Sequence, residues 1–285
     1  MIDVKVTVSV RSDVGRVRTN NEDAFIVAEL TTGARLDAIA AGAVFDLPDD
    51  GLLLAVSDGM GGRDAGELAS AVVLASLHEA LAAERTGPVE GRIETAVRLA
   101  NAAVLRTAHE QNTEGMGATL TAVLVIGGQA HVAQVGDSRA YLCRGGRLWQ
   151  LTRDQSLVQM LVDSGKLAPH EAKRSPQKNV ILQSMGLAEQ VNVAIARLAL
   201  RRLDTLLVCS DGVSNAITDD ELLRILSWHE PRGASARLIE LANQRGGEDN
   251  LTVIVAQFDG VGLDPASSSE SPADVFEVIQ SFGGA

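Results

Sequence analysis

Acidic residues placed between apolar segments and glycine give this chain its clearest chemical signal. Asp58 follows the apolar run 52–56 and begins a loop with glycine at positions 59, 61 and 62. Glycine leaves backbone carbonyl oxygens uncovered, and a carboxylate beside such oxygens suits a hard cation such as Mg²⁺ or Mn²⁺. A single Asp-Gly pair more commonly marks only a turn. The metal interpretation therefore depends on repetition of the pattern.

The pattern is repeated along the chain. Three further acids lie at an end of a strand-like segment, and two adjacent acids lie between two such segments: Asp137, Asp211, Asp249, Glu22 and Asp23. If the strands share a sandwich of sheets, these acids can meet at one end of it. Unit charges about 4 Å apart repel by about 4 kcal/mol at an effective dielectric of 20, and divalent cations remove that repulsion. The sequence has no zinc-type Cys/His spacing, so the oxygen ligands favour a pair of Mg²⁺ or Mn²⁺ ions, which promotes displacement at phosphorus.

Strands and helices must position these acids. Alternating apolar and polar residues, or short apolar runs, predict strands at 4–12, 24–28, 52–56, 118–126, 130–135, 140–144, 147–151, 191–200, 205–209 and 251–258. Glycine pairs between neighbouring strands predict antiparallel hairpins. Apolar spacings of three and four, with a capping-box pattern at Thr218, predict helices at 64–83, 88–110, 218–226 and 234–244. These elements indicate an α+β fold.

The remaining segments define the expected domain organisation. We expect one domain over residues 1–262, in which 152–190 is a mostly helical flap over one edge of the core. Residues 31–51 form a long connection or small insertion without assigned chemistry. Residues 263–285 form a Ser- and Pro-rich linker and a short tail, in which 273–282 suits an amphipathic helix.

Composition excludes several classes of partner. The chain has 285 residues, a formal net charge of −12 and only 3% aromatic residues, so it lacks the basic surface and stacking platforms of nucleic-acid-binding proteins. A negative surface disfavours anionic lipid, and no apolar run approaches the ~18 residues of a membrane span. The alternating N-terminus does not resemble a signal peptide. Cys143 and Cys209 lie in apolar runs and indicate buried thiols in a reducing compartment, so we expect the cytoplasm. We also expect a monomer.

The order of five motifs over residues 4–259 resembles the metal-dependent protein phosphatases (the PPM, or type 2C, family), and especially their bacterial serine/threonine members. The motifs are Arg18-x₃-Glu22-Asp23, Asp58-Gly59-Met60-Gly61-Gly62, Gly136-Asp137-Ser138-Arg139, Ser210-Asp211-Gly212 and Asp249-Asn250. The resemblance implies a four-layer αββα sandwich, in which two central antiparallel sheets are flanked by helices and carry a dinuclear metal centre at one end.

The resemblance also implies the ligands of two Mn²⁺ or Mg²⁺ ions. Asp58 would bridge both ions. The side chain of Glu22 and the backbone carbonyl of Gly59 would bind one ion, and Asp211 and Asp249 would bind the other. A hydroxide held by the metals would attack phosphorus directly, without a phospho-enzyme.

Four further residues take supporting roles by the same resemblance. Arg18 would bind the substrate phosphate, and Asp23 would support the metals through bound water. Asp137, together with Asp211, would form a third metal site, and Asn250 would orient the turn of Asp249.

The chain departs from the family pattern near the substrate. Animal members often have His where this chain has Met60, and Met cannot protonate the leaving serine or threonine, so no general acid is assigned. In the flap, Ser175 replaces a usual His, and Gln183 stands where Arg is common. These differences concern substrate contacts.

The resemblance predicts hydrolysis of phosphoserine and phosphothreonine in proteins, opposing a bacterial Ser/Thr kinase. Two alternatives remain open at this point. One is a catalytically silent module that docks phosphoproteins, which the complete set of acids disfavours. The other is a phosphatase of small phosphoesters or nucleotides.

Overall fold

Two antiparallel sheets form the centre of the protein in a computed structural model, which describes residues 3–35, 42–61, 65–172, 175–267 and 272–282. The described strands are β1 (Lys5–Asp13), β2 (Asp23–Glu29), β3 (Ala43–Asp46), β4 (Leu52–Met60), β5 (Gly117–Ala118), β6 (Leu120–Ile126), β7 (Gln129–Val135), β8 (Arg139–Arg144), β9 (Arg147–Gln150), β10 (Ala194–Ala199), β11 (Thr205–Cys209), β12 (Leu251–Asp259) and β13 (Glu277–Gln280). The described helices are α1 (Ala65–Ala83), α2 (Val89–Gln111), α3 (Leu157–Asp163), α4 (Pro169–Ala172), α5 (Asp211–Ala216), α6 (Asp219–Trp228), α7 (Pro231–Gln244) and α8 (Pro272–Val275).

The strand order explains how distant parts of the sequence meet. The first sheet runs β3-β1-β12-β11-β8-β9, and the second runs β13-β10-β7-β6-β4-β2, with β5 paired to β4. The hairpins predicted from glycine pairs join β6 to β7 and β8 to β9 in antiparallel register. Strands from the beginning, middle and end of the chain therefore lie side by side.

Aliphatic side chains fill three layers of contact. Val8, Leu54 and Ile254 belong to the cluster between the two sheets. The outer face of the second sheet packs against α1 and α2, and the outer face of the first sheet packs against α5, α6 and α7. The structure is thus the four-layer αββα sandwich, and the predicted α+β fold class is confirmed.

Helix α1 is long and apolar enough to cross a bilayer by length and composition alone. In this fold it is a core helix, because Val73, Leu77 and Leu81 are buried in the cluster with α2 and the second sheet. Its apolar character follows from packing on the sheet.

The C-terminal helix predicted over 273–282 is wrong. Residues 272–275 form only the short α8, and β13 follows and pairs with β10, with Val278 opposite Ala196 and Glu277 opposite Arg197. Arg197 also donates to Glu277 at 2.8 Å. An unpaired sheet edge offers backbone partners that a short helix near the chain end does not have.

Other local differences concern short elements. The connection 31–51 contains β3, which pairs with β1, and its residues 36–41 lie outside the described part of the chain. In the flap, α3 and α4 are short and the rest is turns and bends, so the mostly helical expectation is wrong there. Helix α5, which begins at Asp211, was not predicted.

A buried ion pair within the first sheet, between β8 and the residue before β11, lies at the end of the sandwich away from Asp58. Arg144, at the end of β8, donates to both carboxylate oxygens of Asp204 at 2.8 and 2.7 Å and to the carbonyl of Ala199 at 2.8 Å. The side chains of Arg144 and Asp204 are 3% and 0% exposed, so each buried charge is compensated by the other.

We expect Asp204→Ala to lower the free energy of unfolding by about 3–5 kcal/mol, because it leaves the buried Arg144 charge unpaired. Urea unfolding measures this. The matched control is Asp264→Ala, which removes the exposed pair with Arg201 and costs less than about 1 kcal/mol. Similar costs for the two variants would contradict the prediction.

Candidate metal centre

The predicted acids meet because the strand ends that carry them meet. Asp58 near the end of β4 lies opposite Asp23 at the start of β2. Asp137 lies between β7 and β8, Asp211 follows β11 as the first residue of α5, and Asp249 precedes β12. A cavity of about 600 Å³ opens among them, and its lining includes Arg18, Glu22, Asp58, Gly59, Asp137, Asp211 and Asp249.

Gly59, near the end of β4, has no room for a side chain. The N–H of Gly59 donates to the carbonyl of Glu22 at 3.1 Å, which ties the two acidic segments together. A Cβ atom on Gly59 would lie 2.0 Å from the carbonyl oxygen of Gly66 in α1, and one on Gly66 would lie 2.7 Å from the carboxyl carbon of Glu22. The two glycines allow the first turn of α1 to approach the acids closely.

Asn250 ties the loop 14–22, which lies between β1 and β2, to the turn of Asp249. Its amide oxygen accepts from the N–H of Glu22 at 2.8 Å, and its amide nitrogen donates to the carbonyls of Val14 and Asn20 at 3.0 and 2.9 Å. Its own N–H donates to the carboxylate of Asp249 at 2.9 Å. These contacts give a physical basis for its predicted orienting role.

Arg18 holds Asp249 from the open side of the cavity. Its Nε and Nη2 atoms contact the two carboxylate oxygens at 2.9 and 3.0 Å, which is a bidentate ion pair. This pairing leaves Nη1 as the guanidinium nitrogen that the pair does not use. Arg18 is therefore fixed at the rim, where a phosphate group can enter.

Two hydroxyl residues that the sequence reasoning missed also organise the acids. Ser210 donates to Asp23 at 2.7 Å and accepts from the N–H of Thr252 at 3.0 Å. The N–H of Asp58 donates to Thr119 Oγ1 at 3.0 Å. The position of Ser210 directly before Asp211 was a usable signal, whereas Thr119 had no local signal in the sequence.

Three carboxylate oxygens at this end of the sandwich are buried without a hydrogen-bond donor from the described residues: Asp23 Oδ1, Asp137 Oδ1 and Asp211 Oδ1. A buried acceptor without a partner is costly, and more so when it carries charge. Divalent cations supply the missing partners, so the donor set present here fits hard metal ions.

Burial and mutual repulsion raise the pKa values of the clustered acids. Burial, with repulsion from Asp211 and Asp249, raises the pKa of Asp23 to about 7 against the effect of hydrogen bonds. Burial and repulsion from Asp249 raise the pKa of Asp211 to about 6, although a hydrogen bond with Asp58 acts in the opposite direction. Burial raises the pKa values of Asp58 and Asp137 well above the ordinary value.

The acids do not surround a single position closely enough to enclose a metal ion. Within the described ranges, no three His, Cys, Asp or Glu side chains converge closely enough to hold an ion by themselves. Mg²⁺ keeps several water ligands and takes only one or two carboxylates in many protein sites. Acids spread around an open cavity are therefore compatible with hydrated ions.

Comparisons with known proteins identify the family. Residues 34–252 match the sequence model of the family described as protein phosphatase 2C. The chain is 40% identical over 247 residues to the serine/threonine protein phosphatase PstP of Mycobacterium tuberculosis, which covers 86% of this chain and 44% of PstP. It is 34% identical over 255 residues to the serine/threonine phosphatase stp of Listeria monocytogenes, which covers 87% of this chain and 94% of that protein.

A solved structure shares the architecture. The crystal structure of the catalytic domain of PstP in complex with two manganese ions matches with a TM-score of 0.75 at 36% identity, covering 90% of this chain and 99% of that chain. The chain thus spans less than half of PstP and nearly all of the Listeria protein. It belongs to the protein phosphatase 2C family, and the resemblance that the five motifs indicated is confirmed.

The raised pKa values give a pH dependence with a defined sign. Between about pH 4 and pH 7 the folded, metal-free protein binds more protons than the unfolded chain, so these acids make its stability fall as pH rises through that range. We expect a loss on the order of a few kcal/mol in EDTA, measured by urea unfolding. Added Mn²⁺ restores stability at pH 7.5, because bound cations favour the ionised acids.

Variants distinguish this effect from titration elsewhere. Asp23→Asn removes one carboxyl group whose pKa is raised, so the free energy of unfolding of the metal-free protein falls less steeply with pH. Asp220→Asn, on the exposed side of α6, leaves that pH dependence unchanged. A metal-free stability that rises between pH 4 and pH 7 in the wild type would contradict the assignment of these acids.

Proposed function

We propose that this chain hydrolyses phosphoserine and phosphothreonine in proteins with the help of bound Mn²⁺ or Mg²⁺. The observation that carries the proposal is that five of the six predicted acids, Glu22, Asp58, Asp137, Asp211 and Asp249, line one cavity together with Arg18. The similarity to PstP and stp, which are serine/threonine phosphatases, supports the same substrate class. The completeness of the acidic set disfavours a silent docking module.

The proposed metal site uses the acids by position. By the family resemblance, Asp58 would be shared by two ions, of which Glu22 and the Gly59 carbonyl would hold one and Asp211 and Asp249 the other. Asp137 and Asp211, each with an unpartnered buried oxygen, are the candidates for a third ion. Bound divalent cations lower the pKa of water and offset charge on a phosphoryl group.

The side chains of this chain then bind and orient the substrate. Arg18 binds the phosphate while Asp249 holds its guanidinium plane in position. Ser210 fixes Asp23, and Asn250 fixes the Asp249 turn, so the acids keep their spacing during turnover. Met60 lines the cavity but has no proton to give, and the described lining contains no His, Lys, Cys or Tyr. Water in the cavity is therefore the proposed proton source for the leaving alkoxide.

The physiological setting is also part of the proposal. A phosphatase of this type opposes a Ser/Thr protein kinase, and we propose that the chain acts in the cytoplasm on proteins phosphorylated by such a kinase. The net charge of −12 supports a protein substrate over nucleic acid.

The direct test is hydrolysis of a phosphothreonine peptide with Mn²⁺, with Mg²⁺ and with EDTA. Turnover should require the metal. Asp211→Asn should lower kcat/KM by at least about 100-fold and weaken Mn²⁺ binding measured by calorimetry, because it removes a charged ligand. Asp220→Asn, an exposed acid nine residues further along the chain, should leave both unchanged. Full activity in EDTA would refute the proposal.

A further inference from the structure

One wall of the catalytic cavity is built entirely from uncharged side chains. The acids and Arg18 of the lining come from strand ends and turns, and the uncharged side chains come from the flap. The flap residues among the described lining are Asn179, Ile181, Leu182, Gln183, Ser184, Leu187, Ala188 and Gln190. Leu182 and Leu187 are 41% and 54% exposed, so apolar surface faces solvent beside a strongly polar site.

Hydrogen bonds from α2 and β5 hold the loop that carries Leu187 in place. Asn101 of α2, itself 1% exposed, donates to the carbonyls of Ala188 and Glu189 at 2.8 and 3.2 Å and accepts from the N–H of Gly186 at 2.7 Å. The buried Met185 exchanges two backbone hydrogen bonds with Ala118 of β5, at 3.1 and 2.8 Å. These contacts fix the backbone on both sides of Leu187.

Gln183 closes the same loop at its base. Its amide nitrogen donates to the carbonyl of Asn192 at 2.9 Å and to Gln155 at 3.0 Å, and its amide oxygen accepts from the N–H of Asn192 at 2.7 Å. The Gln183 side chain therefore stabilises the loop, and it brings no positive charge to the cavity. Substrate contacts on this wall must come from its apolar groups and neutral amides.

An exposed leucine on a loop that is held by hydrogen bonds is well placed to bind a ligand, because a preorganised surface loses little conformational entropy on binding. Burial of apolar surface is favourable for any partner that brings a matching side chain. The wall and the acids share one cavity, so such a side chain must be attached close to the phosphate.

We propose that Leu187, with Leu182, binds an apolar side chain next to the phosphorylated residue, and so selects phosphoproteins with apolar residues beside the phosphosite. This inference rests on the proposed phosphatase function and specifies its substrate class. A small phosphoester has no such side chain and gains nothing from this wall.

The test compares two phosphothreonine peptides that differ only in the residues flanking the phosphosite, Leu in one and Gln in the other. The full chain with Mn²⁺ should turn over the Leu peptide with a kcat/KM about 10-fold higher, mainly through a lower KM, because a partly buried leucine is worth about one order of magnitude. Leu187→Gln should reduce that preference to less than about 3-fold, and Leu182→Gln should also reduce it.

The matched control is Leu99→Gln on α2, a leucine with the same exposure of 54% that is absent from the described cavity lining. It should keep the full preference for the Leu peptide. An equal kcat/KM for the two peptides in the wild type, or an unchanged preference in Leu187→Gln, would overturn the inference. Higher kcat/KM for p-nitrophenyl phosphate than for either peptide would overturn it as well.

The two proposals fail in different ways. Loss of metal-dependent turnover of every substrate, including p-nitrophenyl phosphate, would remove the phosphatase function and this inference with it. Metal-dependent turnover without a preference between the peptides would remove only the role of the flap wall.

Discussion

Burial of several acids at one end of the sandwich, together with the repulsion among them, is the constraint on which the rest of the structure depends. Asp23, Asp58, Asp137 and Asp211 all have raised pKa values, chiefly because burial disfavours their charged forms. The metal-free fold therefore holds these groups at a cost in stability. That cost is tolerable because the stabilising contacts lie elsewhere, in the aliphatic layers between the sheets and beneath the helices.

The sandwich supplies the rigidity that the acids need. Each acid is adjacent to a strand that pairs on both sides or to a turn fixed by a buried polar residue. Asn250 is the clearest example, because its one side chain makes three hydrogen bonds to the connection between β1 and β2. The low aromatic content is compatible with this design, since Val, Leu, Ile and Ala pack closely between two sheets.

The main sheet strands and the position of most acids were predictable from the sequence because both depend on local patterns. Alternation and glycine pairs specify hairpins such as β6–β7, and acids at strand ends need only the sandwich to bring them together. Elements that depend on distant partners were not predictable. Strand β13 forms because β10 offers an edge, and Thr119 and Asn101 act on residues far from them in sequence. Helix α5 was not predicted because it has only six residues, and so short a segment carries little periodic signal. Three of the six, Asp211, Ser214 and Asn215, are polar.

Strand β13 also changes how the second sheet meets its surroundings. Without it, β10 would present a row of unpaired backbone groups, and such an edge is a template for strands of other molecules. The outward side chain of Glu277, paired with Arg197, adds charge at the new border. The four-residue β13 thus replaces the six-residue β10 as the edge of the sheet, and a short, charged edge strand is a poorer template for pairing, so a chain shortened before residue 277 would expose the longer edge of β10.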